Sequence, residues 1–352
     1  MYFPLRQKRK DEHLRNSLKY RPGCADFSEV ELVHNCLPEA DLHEVQLETD
    51  LAGLTMRTPL FINALTGGTE EAFRINRSLA KVAREGSYAM AVGSQMAGIK
   101  DTSVANSFEI VRKINPQGII WANLGAYADI HDARRAIDMI GADGIQIHLN
   151  VPQELAMAEG DTSFKGTLER INKLCAELKV PVMVKEVGFG ISREQALLLE
   201  QAGINALDVG GKGGTNFLCI EHARHSGGIS PALFNWGIST PLTLMETLDT
   251  VKRRVDIMAS GGMNESLEIA KALSLGAKAT GMAGMVLRLL EKYGEKAMWL
   301  RMKRIERELR WIMLMTGATS LRALAKVPAV ITGSTAEWLC RRGIDPGQWA
   351  RR

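Results

Sequence analysis

The stretch PVMVKEVGFGISREQALLLEQAGINALDVGG, residues 181–211, reads as one complete strand–helix–strand unit. Residues 181–187 form an apolar, β-branched run, and 192–201 place apolar residues at helical spacing. Ser192 and Gln195 have capping-box spacing. Gly203 stands where the helix should stop, and 206–209 is a second short run that leads into glycines. The same pattern recurs along the chain. Strands are predicted over 59–65, 88–93, 118–124, 144–149, 256–260 and 278–282, with helices over 74–85, 103–114, 130–140, 167–178 and 265–275. Gly86, Gly141 and Gly276 are expected to end helices, as Gly203 does. Eight such units in about 240 residues predict an α/β fold, a (β/α)8 TIM barrel. A doubly wound sheet rarely needs eight consecutive units, and no Gly-x-Gly-x-x-Gly follows the first strand.

The flanking regions are read as additions to the barrel. Residues 1–58 are expected to form an N-terminal arm packing over the barrel mouth. Residues 59–352 form the barrel with C-terminal helices, the tail after Gly284 being helical. Segment 216–241, rich in Gly, His and Ser, is read as a long insertion after the sixth strand.

Composition bounds the function classes. The 352 residues carry 44 Lys and Arg against 40 Asp and Glu, a net charge of +4 that gives no footprint for nucleic acid. Cysteines 24, 36, 175, 219 and 340 are odd in number and form no Cys-x-x-Cys pair, which favours reduced thiols over a disulfide or zinc framework. No apolar run reaches the ~18 residues of a membrane span. The basic N-terminus contains Asp11 and Glu12 and lacks an apolar core, unlike a secretion signal. A cytoplasmic protein without membrane or nucleic-acid partners is expected. His222 and His225 are read as surface residues.

In a barrel, chemistry sits at the C-terminal strand ends. Those positions carry Ala64-Leu65-Thr66-Gly67-Gly68, Gly93-Ser94-Gln95-Met96, Asn123, His148, Asn150, Gln153, Glu154, Lys185-Glu186, Gly210 to Asn216, Ser260-Gly261-Gly262 and Ala283-Gly284. Three glycine-rich loops after the last three strands let backbone N–H groups approach an anion, with Thr215 adding a hydroxyl, and so predict a phosphate-bearing ligand. Lys185, inside an apolar strand, reads as a Schiff-base lysine, a charge partner for an electron-rich ring, or a salt-bridged residue. Asn123 and Ser94 suit a flat heterocycle, so flavin mononucleotide fits better than pyridoxal phosphate. Glu154 alone, completed by ligand phosphates, has the usual magnesium pattern. Arg9 and Lys10 are suited to clamping a second, substrate phosphate.

Arg9-Lys10-x-Glu12-His13, Leu65-Thr66-Gly67-Gly68, Gly93-Ser94-Gln95, Ala122-Asn123-Leu124-Gly125, His148-Leu149-Asn150-x-x-Gln153-Glu154, Val184-Lys185-Glu186, Gly213-Gly214-Thr215-Asn216 and Ser260-Gly261-Gly262 together resemble the type 2 isopentenyl-diphosphate isomerases, from Arg9 to about Gly343. The resemblance implies interconversion of isopentenyl and dimethylallyl diphosphate with reduced FMN, magnesium and NADPH as reductant, without net redox change. It implies that Ala64, Leu65, Thr66, Ser94, Asn123, Lys185, Thr215, Ser260, Gly261, Gly262, Ala283 and Gly284 hold FMN. Substrate would be faced by Arg9, Lys10, His13, Ser94, Gln95, Met96, His148, Asn150 and Gln153, with Glu154 on the metal and Gln153, His148 and Lys185 in the chemistry. Met96 stands where some members carry Arg, which places more weight on Arg9 and Lys10. A homo-oligomer, tetramer or octamer, is expected.

Two rivals share the barrel. An FMN-dependent 2-hydroxy-acid oxidase would place a His and Arg pair after strand 7, where this chain has Ser260-Gly261-Gly262-Met263-Asn264. A non-catalytic flavin sensor leaves Glu154 and the Arg9-Lys10 pair unexplained.

Overall fold

The computed structural model describes residues 3–19, 23–224, 228–251 and 255–352, and only the backbone of residues 3–9 and 11. Eight parallel strands close into a barrel in chain order. They are β1 (Leu60–Ile62), β2 (Ala89–Ala91), β3 (Ile120–Gly125), β4 (Gly144–Leu149), β5 (Val182–Glu186), β6 (Ala206–Asp208), β7 (Asp256–Ser260) and β8 (Ala279–Met282). Each lies within or nearly within a predicted run, because short apolar, β-branched segments fit a pleat buried on both faces.

Alternation along each strand sorts the residues into two cores. Leu60, Ile62, Met90, Ile120, Ala122, Ile145, Ile147, Val182, Val184, Leu207 and Ile257 face outward into the layer shared with the surrounding helices. Phe61, Ala89, Ala91, Trp121, Met183, Ala206, Met258 and Ala279 fill the lower barrel interior. Gly144 is required there, since a Cβ would lie 2.6 Å from the Trp121 ring. The next inward positions are Asn63, Asn123, Gln146, Asp208 and Ser260, all buried and polar. The barrel is thus apolar at its base and polar just below its mouth.

The N-terminal segment divides, which modifies the picture of 1–58 as one arm over the mouth. The helix Phe3–Lys19 lies at the mouth, where Lys10 Nζ donates to Gly67 O and, at 3.1 Å, to Ser94 O. Residues 30–32 pair antiparallel with 329–331. The hairpin 49–56 closes the opposite end: Leu51 and Met56 pack under Phe61 and Trp121, and Ala52 N donates to Asp256 Oδ2 at 2.7 Å. That apolar pair sits where the barrel base is apolar.

Other local expectations are corrected. Gly86 is the last residue of its helix and Ser87 takes the left-handed conformation at φ 55°. Gly86 is needed because a Cβ would fall 1.9 Å from the Tyr88 ring. The capping box at Ser192 does not form; its hydroxyl donates to Glu194 Oε2 at 2.7 Å and to Gln195 Oε1. Segment 216–241 is not simply a loop, since it contains the helix Phe217–Arg224, which buries Leu218, Cys219 and Ile220. The tail begins with a long helix, Gly284–Met315, interrupted at Gly294.

Candidate functional site

The barrel mouth opens into a cavity lined by the strand ends and by the N-terminal helix. Ala64, Leu65 and Thr66 after β1, Ser94 after β2, Asn123 on β3 and Lys185 on β5 form its floor and one wall. Thr215, Ser260, Gly261, Gly262, Ala283 and Gly284 form the other wall. The loops after β6 and β7 interlock, which explains some of the glycines differently from anion approach. A Cβ on Gly261 would lie 2.0 Å from Gly211 O, and one on Gly262 would lie 2.2 Å from Gly213 O. Both residues also have positive φ, 107° and 84°. At Gly284 the surroundings open: a Cβ there would stand 3.5 Å from both Thr215 Oγ1 and the Arg288 guanidinium. The first residue of a long helix, a hydroxyl and a cation therefore converge on one spot, a combination whose chemistry suits an anion.

Across from it lies the polar cluster after β4. Asn150 Nδ2 donates to Glu154 Oε1 at 2.8 Å and to Gln153 Oε1 at 3.3 Å, while Asp161 N donates to Glu154 Oε2 at 2.9 Å. The carboxylate is thereby aimed, and Gln153 keeps its amide nitrogen for the cavity. His148 Nδ1 lies 2.9 Å from Asn123 Oδ1. Burial, helped by the charges of Lys185 and Lys10, pushes the His148 pKa down to about 3, so the ring is neutral. Lys185 Nζ donates to Glu186 O at 3.0 Å and stands 4.0 Å from Asp208 Oδ2. Glu186 Oε2 accepts from the N–H groups of Val187, Gly188 and Phe189 at 2.7, 2.7 and 2.6 Å. Burial raises the Glu186 carboxyl to about 7, against the lowering by those donors and by Lys185.

At the rim, His13 Nε2 meets the buried Glu221, which Arg224 also contacts. Arg224 continues to Glu12 at 3.1 Å and Glu159 at 3.0 Å. This network ties the N-terminal helix to Phe217–Arg224 above the cavity.

The amino-acid sequence is 46% identical over 354 residues to a curated isopentenyl-diphosphate delta-isomerase of Symbiobacterium thermophilum, covering 97% of each chain. It is 46% identical to one of Geobacillus sp., again over 97% of each, and 44% identical to one of Bacillus licheniformis over 99% of each. The chain belongs to the isopentenyl-diphosphate delta-isomerase family. Residues 95–330 also match the FMN-dependent dehydrogenase family. Among solved structures, the fold is similar to a mandelate oxidase mutant with (S)-mandelic acid, at TM-score 0.67 and 18% identity over 91% of this chain and 94% of that one. A flavocytochrome b2 mutant with pyruvate bound gives 0.65 and 17%, covering 89% and 80%. These likenesses show the barrel fold.

Of the residues expected at the site, two are corrected. Gln95 is fully buried away from the cavity: its Nε2 donates to Ala136 O at 2.8 Å and its Oε1 accepts from Asn123 N at 3.0 Å. It braces β3 against a neighbouring helix. Met96 is 4% exposed and packs in the outer core, so it faces no diphosphate. His13 lines the cavity with Nε2 engaged on Glu221. Arg9 and His225 fall outside the described side chains.

Arg288, Asp208, Gln146 and Asn63 were not singled out from sequence. Arg288 lines the cavity beside Gly284 and is four residues beyond it, one helical turn, which was a readable signal. The other three lie inside strand runs that sequence analysis valued for their apolar residues.

Proposed function

We propose that the protein interconverts isopentenyl and dimethylallyl diphosphate by adding a proton to the terminal methylene and removing one from the allylic carbon, with reduced FMN, magnesium and NADPH as reductant. The observation that carries this reading is the facing of two walls: an anion site of Gly284, Thr215 and Arg288 opposite Lys10, His148, Asn150, Gln153 and Glu154. One wall suits the phosphate of FMN and the other a diphosphate. FMN fits the residues present, with Thr66, Ser94 and Asn123 offering neutral polar groups, Lys185 a cation, and the Gly284 corner a cradle. When bound in reduced form it supplies ring nitrogens that give and take protons and an electron-rich face beside the reacting carbons.

The chain's own groups do the rest. Lys185 balances the anionic ring. Gln153 presents its amide to the reacting end and orients the exchanging proton. Lys10 holds diphosphate oxygens, joined by Arg9, and Asn150 faces the substrate while its amide N–H groups aim Gln153 and Glu154. Among the described residues no three His, Cys, Asp or Glu side chains cluster to hold a metal. Glu154 therefore supplies one carboxylate, and the diphosphate supplies the remaining charge for magnesium. NADPH would reach the flavin transiently, since the described residues form no dinucleotide-binding unit beside the barrel. The helix Phe3–Lys19 shields the cavity from water, as a cationic species demands.

Exposed Leu155, Leu233 and Trp236 beside the rim support a tetramer or octamer, which sedimentation velocity tests. Among the described residues no helix is long and apolar enough to cross a membrane. The hydroxy-acid oxidase reading is not favoured, because β7 runs into Ser260-Gly261-Gly262 without a His and Arg pair.

The experiment is anaerobic: protein, FMN, magnesium, NADPH and isopentenyl diphosphate in heavy water, followed by NMR. Deuterated dimethylallyl diphosphate, formed only with reduced flavin, is expected. Bound flavin with untouched substrate overturns the reading and leaves a flavin-binding barrel. Gln153→Ala with unchanged turnover refutes the role of Gln153.

A further inference from the structure

The buried polar layer below the cavity is one hydrogen-bonded chain, and its direction can be derived. Asn63 Nδ2 donates to Asp208 Oδ2 at 2.7 Å, and Ser260 Oγ donates to Asp208 Oδ1 at 2.5 Å. A carboxylate accepts on both oxygens, so the Asn63 amide must turn its nitrogen to Asp208. Independently, Ala64 N donates to Asn63 Oδ1 at 2.9 Å, which fixes the same orientation. Asn63 Oδ1 is then the acceptor for Gln146 Nε2 at 3.1 Å. Gln146 Oε1 in turn accepts from Asn123 Nδ2 at 3.1 Å. That leaves Asn123 Oδ1 turned to His148 Nδ1 at 2.9 Å. An amide oxygen only accepts, so Nδ1 carries the proton.

We infer that Asp208, acting through Asn63, Gln146 and Asn123, is a positioning residue that holds His148 in its Nδ1–H tautomer and leaves Nε2 as an acceptor toward the cavity. Asp208 does not line the cavity itself and meets it only through the lining residues Asn63, Lys185 and Ser260. Asp208, Gln146 and Asn123 are at most 2% exposed and Asn63 is 4% exposed, so water does not compete for their partners. Five of the eight strands contribute, because alternation brings one inward residue of each to this level: Asn63 follows β1, Asn123 lies on β3, Gln146 on β4, Asp208 on β6 and Ser260 on β7. Gly281 makes room for the chain, since a Cβ on it would lie 2.8 Å from Asn63 Nδ2. The consequence is functional. With Nδ1 spent, any proton or hydrogen bond that His148 exchanges with a ligand passes through Nε2. The tautomer rests on geometry alone. Its bearing on turnover rests on the proposed placement of substrate beside His148.

The test reads the tautomer without turnover. Full-length, FMN-loaded protein labelled with 15N-histidine is examined by magic-angle-spinning NMR, with His148→Gln identifying the His148 resonances. Wild type is expected to show a protonated Nδ1 and a bare Nε2. Asp208→Asn removes the obligate acceptor at Asn63 Nδ2 and leaves the Ala64 N–H as the sole anchor of the order, so a share of the Nε2–H form should appear. Gln146→Leu, which keeps Asp208 and breaks the chain at its centre, should do the same. Adding Asn123→Asp to Asp208→Asn restores an obligate acceptor beside Nδ1 and should restore the wild-type pattern. A tautomer unchanged in Asp208→Asn overturns the role of Asp208, one unchanged in Gln146→Leu overturns the chain, and a wild-type Nε2–H form overturns both. In the anaerobic assay, Asp208→Asn should lower kcat/KM about three- to tenfold, the loss of one oriented hydrogen bond. A released tautomer with undiminished kcat/KM instead counts against the placement of substrate at His148.

Discussion

Replacing Arg288 by Met tests the assignment of the anion corner. The Arg288 guanidinium has no hydrogen-bond or ion-pair partner among the described residues, and burial pulls its pKa below the ordinary arginine value. A half-buried cation without a carboxylate is held at a cost, which an arriving phosphate offsets. A Cβ on Gly284 would come 3.5 Å from the guanidinium and 3.5 Å from Thr215 Oγ1, so a phosphate oxygen at the helix start reaches both. A charge-assisted hydrogen bond is worth about 1.5–3 kcal/mol, so Arg288→Met should weaken FMN about tenfold to 150-fold. The fold should be unaffected, because Met keeps the stem and no protein partner is stranded. The assay is fluorescence titration with FMN and, in parallel, with riboflavin, which has the same ring and no phosphate. Riboflavin affinity should be unchanged by the substitution. Equal loss for both ligands, or no loss for FMN, refutes the phosphate corner.

Four further outcomes follow from the same geometry. Gly144→Ala drives a Cβ to 2.6 Å from the Trp121 ring, so it should cost about 1–3 kcal/mol of stability in denaturant unfolding. Glu186 has a carboxyl raised to about 7 in the fold from an ordinary 4.5, so the native state binds the extra proton between those values. Stability should therefore fall by about 3 kcal/mol as pH rises through that window, and Glu186→Gln should remove that slope in urea unfolding. His148, held neutral with its pKa at about 3, should gain a proton at Nε2 when a polyanion arrives. Calorimetry of inorganic diphosphate binding near pH 7 in buffers of different ionisation enthalpy should show proton uptake, reduced in His148→Gln. Glu154→Gln should raise the magnesium concentration needed for turnover at least tenfold while leaving FMN affinity unchanged, measured by metal titration of the rate and by flavin fluorescence.

What sequence reading reached and what it missed divide along a physical line. The barrel was legible because eight strands buried on both faces must each be short and apolar, whereas the glycines after β7, read for anion approach, are also demanded by packing, since a Cβ at Gly261 or Gly262 would fall 2.0–2.2 Å from a backbone oxygen. His148 and Lys185 drew notice because a polar group at a strand end breaks that pattern, and both line the cavity, as does Glu154 on the helix that follows β4. Gln95 breaks the pattern at the same level and proved to be a brace. Whether a side chain at a strand end turns into the cavity or sideways under a helix depends on the course of the chain after it, and a helix starts directly at Met96. The polar layer was hidden for the opposite reason. Asn63, Gln146 and Asp208 each stand alone in an apolar run, and only barrel closure brings residues separated by 83 and 145 positions into hydrogen-bond contact. A lone buried amide in one strand has no account of its own, but amides recurring at the same inward level of several strands imply one another, since none can be buried unpaired. Aligning the predicted strands by their inward positions, rather than reading each in turn, is therefore the step that would have found the layer, and with it Asp208.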